Sequence, residues 1–220
     1  LRRGLPTVHT KFGVNTALLS GDVMLIKAYE YVSRISTKHQ SEVLHLFNQT
    51  AREVCEGQQL DMDFENRDQV AIDEYLRMIE LKTSVLLAAS LQLGSMLGGA
   101  TQRNQERLYE FGRKLGLAFQ VQDDYLDAFG DPEKFGKQVG GDILANKKTF
   151  LLIHALEVAD PSTKAELMQL MQENPADKVA RILGVFRKTG VDAWALELKK
   201  RFLNEAMSAL DDIAVLSVRK

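Results

Sequence analysis

Ile72-Asp73-Glu74-Tyr75-Leu76-Arg77-Met78-Ile79-Glu80-Leu81-Lys82-Thr83-Ser84-Val85-Leu86-Leu87-Ala88-Ala89-Ser90-Leu91-Gln92-Leu93-Gly94-Ser95-Met96-Leu97 is the stretch that settles the fold class. Its apolar residues Ile72, Leu76, Ile79, Val85, Leu86, Leu93 and Leu97 fall mainly three, four, six or seven apart. That is the repeat of a helix rather than the alternation of a strand. The stretch lies within residues 7–131, which contain no proline, because the four prolines are Pro6, Pro132, Pro161 and Pro175. Proline breaks helix interiors, so a gap of that length permits several long helices in succession.

Working outward, the pattern predicts helices at about 14–35, 41–60, 73–99, 104–129, 148–158, 162–173, 177–188 and 191–214, with ends good to roughly 2–4 residues. Stop and start signals mark the joints: Gly98-Gly99, Gly130-Asp131-Pro132, Asp160-Pro161-Ser162 and Asn174-Pro175. No sustained strand-like alternation, fixed-period repeat or Ser/Gly/Pro-rich linker interrupts the series. A single all-α domain over 1–220 is the expectation.

Composition narrows the function classes. Hydrophobic residues make up 45% of the 220, enough to fill a sizeable core. A formal net charge of −2 argues against a broad basic surface for nucleic acid. Cys55 is the only cysteine, so neither a disulfide framework nor a zinc cluster is expected. The longest apolar run, Val85 to Ala89, falls far short of the roughly 20 residues of a membrane span. No signal peptide follows Leu1-Arg2-Arg3-Gly4, and a cytoplasmic location is expected.

The densest chemistry is Phe119-Gln120-Val121-Gln122-Asp123-Asp124-Tyr125-Leu126-Asp127. At about 100° per residue, Asp123 and Asp127 lie roughly 40° apart on one helix face, with Gln120 one turn earlier. Like charges at that spacing destabilise a helix unless a cation neutralises them. A solvated acidic face and a metal site compete as explanations. The flanking Phe119, Val121, Tyr125, Leu126, Ala128 and Phe129 embed the acids among apolar residues, which favours the metal. Short carboxylates suit Mg²⁺, which accepts one or two of them plus water and phosphate oxygens. Asp211-Asp212 has Val215 four residues after Asp211 and reads as a solvated face. Asp61, Asp63 and Glu65 lack the glycine of a calcium loop and read as a loop or helix end.

Cations suited to a diphosphate accompany the acids. Gly136-Lys137 and Gly140-Gly141-Asp142 precede Asn146-Lys147-Lys148-Thr149, read as a helix start whose unpaired N–H groups favour anions. Lys82-Thr83 stands inside the long helix, where Lys82 either reaches something polar or snorkels. Arg2-Arg3 is a paired guanidinium suited to forked phosphate contacts. Gly57, Gly94, Gly98 and Gly99 are expected to allow close helix approach. The four histidines have no metal-ligand spacing, and no Walker A, G-x-G-x-x-G or G-x-S-x-G sequence is present.

These segments, from Arg2-Arg3-Gly4-Leu5-Pro6-Thr7-Val8-His9 through Lys82-Thr83 and the aspartate motif to Gly136-Lys137, Gly141-Asp142 and Asn146-Lys147, resemble the trans-isoprenyl diphosphate synthases. The resemblance implies an isoprenoid-synthase-type helical bundle around a central cavity, usually a homodimer. It implies a reaction in which an allylic diphosphate condenses head to tail with isopentenyl diphosphate, with up to three Mg²⁺ in the complete enzyme. Metal ions draw off the diphosphate, the isopentenyl double bond attacks the carbocation, and the released diphosphate takes the proton.

Carried onto this chain, the metal set is Asp123, Asp124 and Asp127. The first and last hold Mg²⁺, and Asp124 supports them through hydrogen bonds or water. Arg2, Lys82, Lys137 and Lys147 would bind the allylic diphosphate, and Arg3 the isopentenyl diphosphate. Lys82, Thr83 and Gln120 form the catalytic group, with Thr83 and Gln120 facing the developing carbocation.

The resemblance also implies a first DDxxD motif and a basic segment ahead of Arg2. The expectation is therefore a family chain lacking its opening helices, inactive by itself. Likeness of the Asp123-to-Lys147 segment to short-chain enzymes implies a farnesyl- or geranylgeranyl-class product. Two alternatives compete with this reading. A terpene cyclase would need Ser or Thr where Asp127 stands and Glu where Asp131 stands. A regulatory subunit of a heteromeric prenyltransferase would have no need of the complete aspartate motif.

Overall fold

The helix-period apolar pattern folds as expected into helices throughout, and no β-strand forms among the described residues. The computed structural model describes residues 5–67, 69–131 and 139–213. In chain order the helices are α1 (Val8–Phe12), α2 (Val14–Val32), α3 (Thr37–Glu65) and α4 (Ile72–Ile79), then a π-helical turn at Glu80–Ser84. They continue as α5 (Val85–Leu97), α6 (Gln102–Phe129), α7 (Gly141–Leu144) and α8 (Phe150–Val158). The last three are α9 (Pro161–Gln172), α10 (Lys178–Lys188) and α11 (Val191–Asp211). Among the described residues no helix is long and apolar enough to cross a membrane.

Three boundaries differ from expectation for physical reasons. The helix expected at 73–99 is divided by the π turn, which inserts a wider loop of backbone between α4 and α5. Helix α3 runs on to Glu65, so Asp61, Asp63 and Glu65 occupy its last turns. The short helices α1 and α7 carry too few residues for a periodic signal. Elsewhere the stop signals act as anticipated. Asp160 accepts the amides of Ser162 and Thr163 at 3.0 Å each, with Pro161 opening α9.

The chain divides into two compact units, Leu1–Asn48 and Gln49–Lys220. In the first, Tyr29 stands edge-on to Phe47, ring centroids 5.0 Å apart, and its hydroxyl donates to Asn48 Oδ1. Helix α2 has no buried residue, and Leu18, Leu19 and Met24 are exposed along it.

The second unit holds a continuous apolar core that includes Tyr75, Met78, Leu117, Val121, Phe150, Leu167, Phe186 and Phe202. Tyr75, Phe150 and Phe186 are fully buried, and burying a large side chain of this kind contributes about 1.5–3 kcal/mol. Helix α6 runs through this unit, packed against α5 and α11. Two of its glycines set the spacing. A Cβ on Gly112 would lie 2.7 Å from Ala88 Cα, and one on Gly116 would lie 2.7 Å from Ser84 Cα. Gly57 of α3 likewise meets the backbone of Leu81 and Lys82, as expected. The expectation for Gly94, Gly98 and Gly99 is corrected. Gly94 and Gly99 face open space, and Gly98 meets only carbonyls of its own helix.

Candidate functional site

The π turn sets the first pair of site residues. It carries Lys82 and Thr83 in α-helix-like surroundings but with i→i+5 bonding, a distortion often found at functional positions. Because Gly57 admits the backbone at Lys82, Asp61 lies one turn further along α3 within reach of the ammonium. Lys82 Nζ donates to Asp61 Oδ2 at 2.6 Å, with both side chains largely sheltered from solvent. Lys82 therefore reaches a carboxylate rather than snorkelling. Asp61, read from sequence as a loop or helix-end acid, is its partner.

A hydrogen-bonded line leads from the π turn into α6. Thr83 Oγ1 donates to Gln120 Oε1 at 3.3 Å, and Gln120 Nε2 donates to Asp124 Oδ1 at 3.1 Å. The other oxygen of Asp124 accepts the Tyr75 hydroxyl at 2.6 Å. Asp124 and Tyr75 are both buried. Burial pushes the Asp124 carboxyl up to about 6, against the opposing pull of the Tyr75 hydrogen bond and of the Lys147 charge. Burial, and then the neighbouring Asp124 charge, raise the Tyr75 phenol well above its usual value.

The third aspartate organises the turn that follows α6. Asp127 Oδ2 accepts the backbone N–H of Asp142 at 2.9 Å, and its carbonyl accepts that of Gly140 at 2.7 Å. Gly140 takes φ +79, which glycine adopts at little cost, and so lets α7 begin against Asp127. Helix α7 ends in a Schellman turn. Asn146 N–H bonds Ile143 O, Lys147 N–H bonds Asp142 O at 2.9 Å, and Asn146 takes φ 55. This brings Lys147 back over Asp142, Nζ to Oδ2 at 3.5 Å. Burial would lower the Lys147 pKa, but the charges of Asp124, Asp142 and Asp61 hold it above the usual lysine value. The segment Asn146-Lys147-Lys148-Thr149 leads into a helix as expected, with Thr149 at the N-cap of α8, while Asn146 and Lys147 themselves also close α7.

The structure thus brings together Lys82, Thr83, Gln120, Asp124, Asp127 and Lys147 in the second unit. Asp123 is exposed on α6 beside them. Arg2, Arg3 and Lys137 lie outside the described residues. Sequence reasoning missed Tyr75, Asp61 and the role of Asp142. For Asp61 a signal existed in Gly57, one helical turn before it. For Tyr75 there was none.

The donor chemistry fits Mg²⁺. Asp123 and Asp127, four residues apart on α6, match an ion that takes one or two carboxylates and completes its shell with water and phosphate. Asp124, with both oxygens engaged by Tyr75 and Gln120, supports the motif from behind. Among the described residues no group of three His, Cys, Asp or Glu side chains is arranged to hold a metal ion by itself.

The polyprenyl synthetase family model matches residues 1–186. The chain is 45% identical over 171 residues to a short chain isoprenyl diphosphate synthase of Methanocaldococcus jannaschii, covering 77% of this chain and 52% of that protein. It is 36% identical over 233 residues to a geranylfarnesyl diphosphate synthase of Natronomonas pharaonis, covering 100% of this chain and 67% of that protein. A geranylgeranyl pyrophosphate synthetase structure from Pyrococcus horikoshii superposes with TM-score 0.92 at 36% identity, over 98% of this chain and 66% of that one. The chain spans about half the length of the Methanocaldococcus relative. With the helices shared over nearly all of its length and the family model matched through residue 186, this chain belongs to the polyprenyl synthetase family.

Proposed function

We propose that this chain carries the second aspartate-rich motif and diphosphate-binding lysines of a short-chain isoprenyl diphosphate synthase, which joins an allylic diphosphate head to tail with isopentenyl diphosphate. The observation that carries the reading is the line Thr83–Gln120–Asp124, with Lys147 held in the field of Asp124 and Asp142. Names of relatives as short chain isoprenyl and geranylgeranyl diphosphate synthases support the product class. The family match over residues 1–186 spans both compact units and supports one polyprenyl synthetase domain. Apolar residues exposed along α2 support burial against a second copy in a homodimer.

In this reading Lys82 and Lys147, with Arg2 and Lys137, bind the allylic diphosphate, and Arg3 binds isopentenyl diphosphate. Cleavage of the allylic C–O bond sends both electrons to the diphosphate and leaves positive charge on the allyl carbon. Thr83 and Gln120 direct oxygen dipoles at that charge. Their hydrogen bonds to each other and to Asp124 hold the dipoles in place before the charge develops, which is where fixed dipoles act most strongly. The isopentenyl double bond forms the new carbon–carbon bond, and the released diphosphate takes the departing proton. Asp123 and Asp127 would hold Mg²⁺, which when bound acts as a Lewis acid on the leaving group.

Incubating the full-length protein with Mg²⁺, an allylic diphosphate and labelled isopentenyl diphosphate tests the reading. Labelled product no longer than geranylgeranyl diphosphate is expected. Absence of condensation, or a longer product, would overturn it.

A further inference from the structure

Lys178 opens α10 and is one of the largest fully buried side chains in the protein, at 1% exposure. A buried ammonium is costly unless its protons are matched by acceptors. Two neutral side-chain oxygens each accept one of its three N–H groups: Asn146 Oδ1 at 2.5 Å and Asn174 Oδ1 at 3.0 Å. Asn174 precedes α10, so that bond is local. Asn146 is 32 residues away in sequence, at the one described non-glycine position with positive φ. Asparagine tolerates that conformation better than most residues, though at some strain.

The next residue of α10 acts on the other end of the same turn. Val179 packs against Gly140 so closely that a Cβ there would collide with its methyl groups. Two successive residues of α10 therefore grip both ends of α7, the Gly140 entry and the Asn146 exit. Between them lie Asp142 and the Schellman bond that aims Lys147. We propose that Lys178 is a positioning residue: its ammonium pins Asn146 in the left-handed conformation and thereby fixes Lys147 for diphosphate binding.

The functional half rests on the reading of Lys147 given above, and the two are separable. Hydrogen exchange on the 220-residue chain tests the clamp alone. Lys178→Met is expected to speed exchange of the Asn146 and Lys147 amides while the core of α6 stays protected. Exchange unchanged at those two amides would overturn the clamp.

Calorimetric titration with inorganic pyrophosphate and Mg²⁺ tests its consequence. Lys178→Met should weaken binding about tenfold, the usual scale for residues that orient a ligand-binding side chain. In a Lys147→Ala background it should cause no further loss, because coupled residues are not additive. A full loss retained in that background would show action by another route and overturn the proposal.

Asn146 is exposed, so its replacement opens no cavity, and in a Lys178→Met background it leaves no buried ammonium without its acceptor. In that background Asn146→Gly should restore pyrophosphate affinity and Asn146→Ala should not, since only glycine keeps the positive φ without strain and without a pin. Equal binding by the two would overturn the proposal. If Lys147→Ala binds pyrophosphate as well as the unaltered chain, the reading of Lys147 fails, and the exchange result still decides whether Lys178 holds the turn.

Discussion

The Tyr75 hydroxyl donates to Asp124 Oδ2 at 2.6 Å across 49 residues of sequence, and both side chains are buried. Helix α4 thus supports the central aspartate of the motif from the core side. Tyr75→Phe keeps the ring and removes the donor, leaving a buried carboxylate oxygen short of a partner. The expected cost is about 1–3 kcal/mol of stability, the scale for orphaning a buried polar group. Urea unfolding measures it, and a midpoint equal to that of the unaltered chain would contradict the assignment.

Close approach at Gly57 has a measurable consequence. Gly57→Ala puts a methyl group into the backbone of Leu81 and Lys82, and overpacking of this kind costs about 1–3 kcal/mol. Gly94→Ala is the contrast, because nothing lies within 4 Å of the added methyl group and the position is inside α5. There the substitution should stabilise by roughly 0.5–1 kcal/mol, the helix-interior difference between the two residues. Thermal unfolding of both variants should move in opposite directions.

Asp123 is the exposed carboxylate of the motif. On the proposed reading, Asp123→Ala should lower condensation by the full-length protein on the order of 10²–10³-fold, as loss of a group stabilising transition-state charge does. The fold should persist, since removing one of two like charges at this spacing relieves a few tenths of a kcal/mol of repulsion, about 0.2–0.5. Product quantification together with circular dichroism separates the two effects.

The cap of α9 predicts a pH dependence. Hydrogen bonds from Ser162 and Thr163 hold the Asp160 carboxyl well below the usual carboxylate range. A depressed folded-state pKa means that the charged form is favoured by folding. The contribution is complete above the unfolded pKa of about 3.9 and disappears as pH falls through the lower folded value. Melting temperatures of the unaltered chain and Asp160→Ala should therefore differ by a constant amount at neutral pH and converge in acid. A gap that widened below pH ~4 would reverse the sign and refute the capping assignment.

Much of the helical series was legible because its signals are local. Apolar spacing, Asp160-Pro161 and Gly98-Gly99 each act within a few residues of the structure they specify. The aspartate motif was legible for the same reason, since Asp123, Asp124 and Asp127 share one turn or so of α6. The glycines show where this ended. Gly94, Gly98 and Gly99 looked like contact points but face open space or their own helix, whereas Gly112 and Gly116 carry the close packing. Only the neighbouring helix decides which glycine is approached, and the sequence names no neighbour.

By itself, then, the sequence determined an all-α chain with an acidic turn, nearby lysines and the polar pair Thr83 and Gln120. Tertiary structure decided what each of these groups does. It turned Asp61 toward Lys82 from a helix 21 residues earlier and placed Tyr75 under Asp124. It also made Asn146-Lys147 the close of α7 as well as the approach to α8, with Lys178 of α10 bonded to Asn146. Local backbone preferences are written within a turn or two of chain. The partner of a buried charge is chosen by packing among distant segments, because only there does removal from water make a specific donor or acceptor necessary.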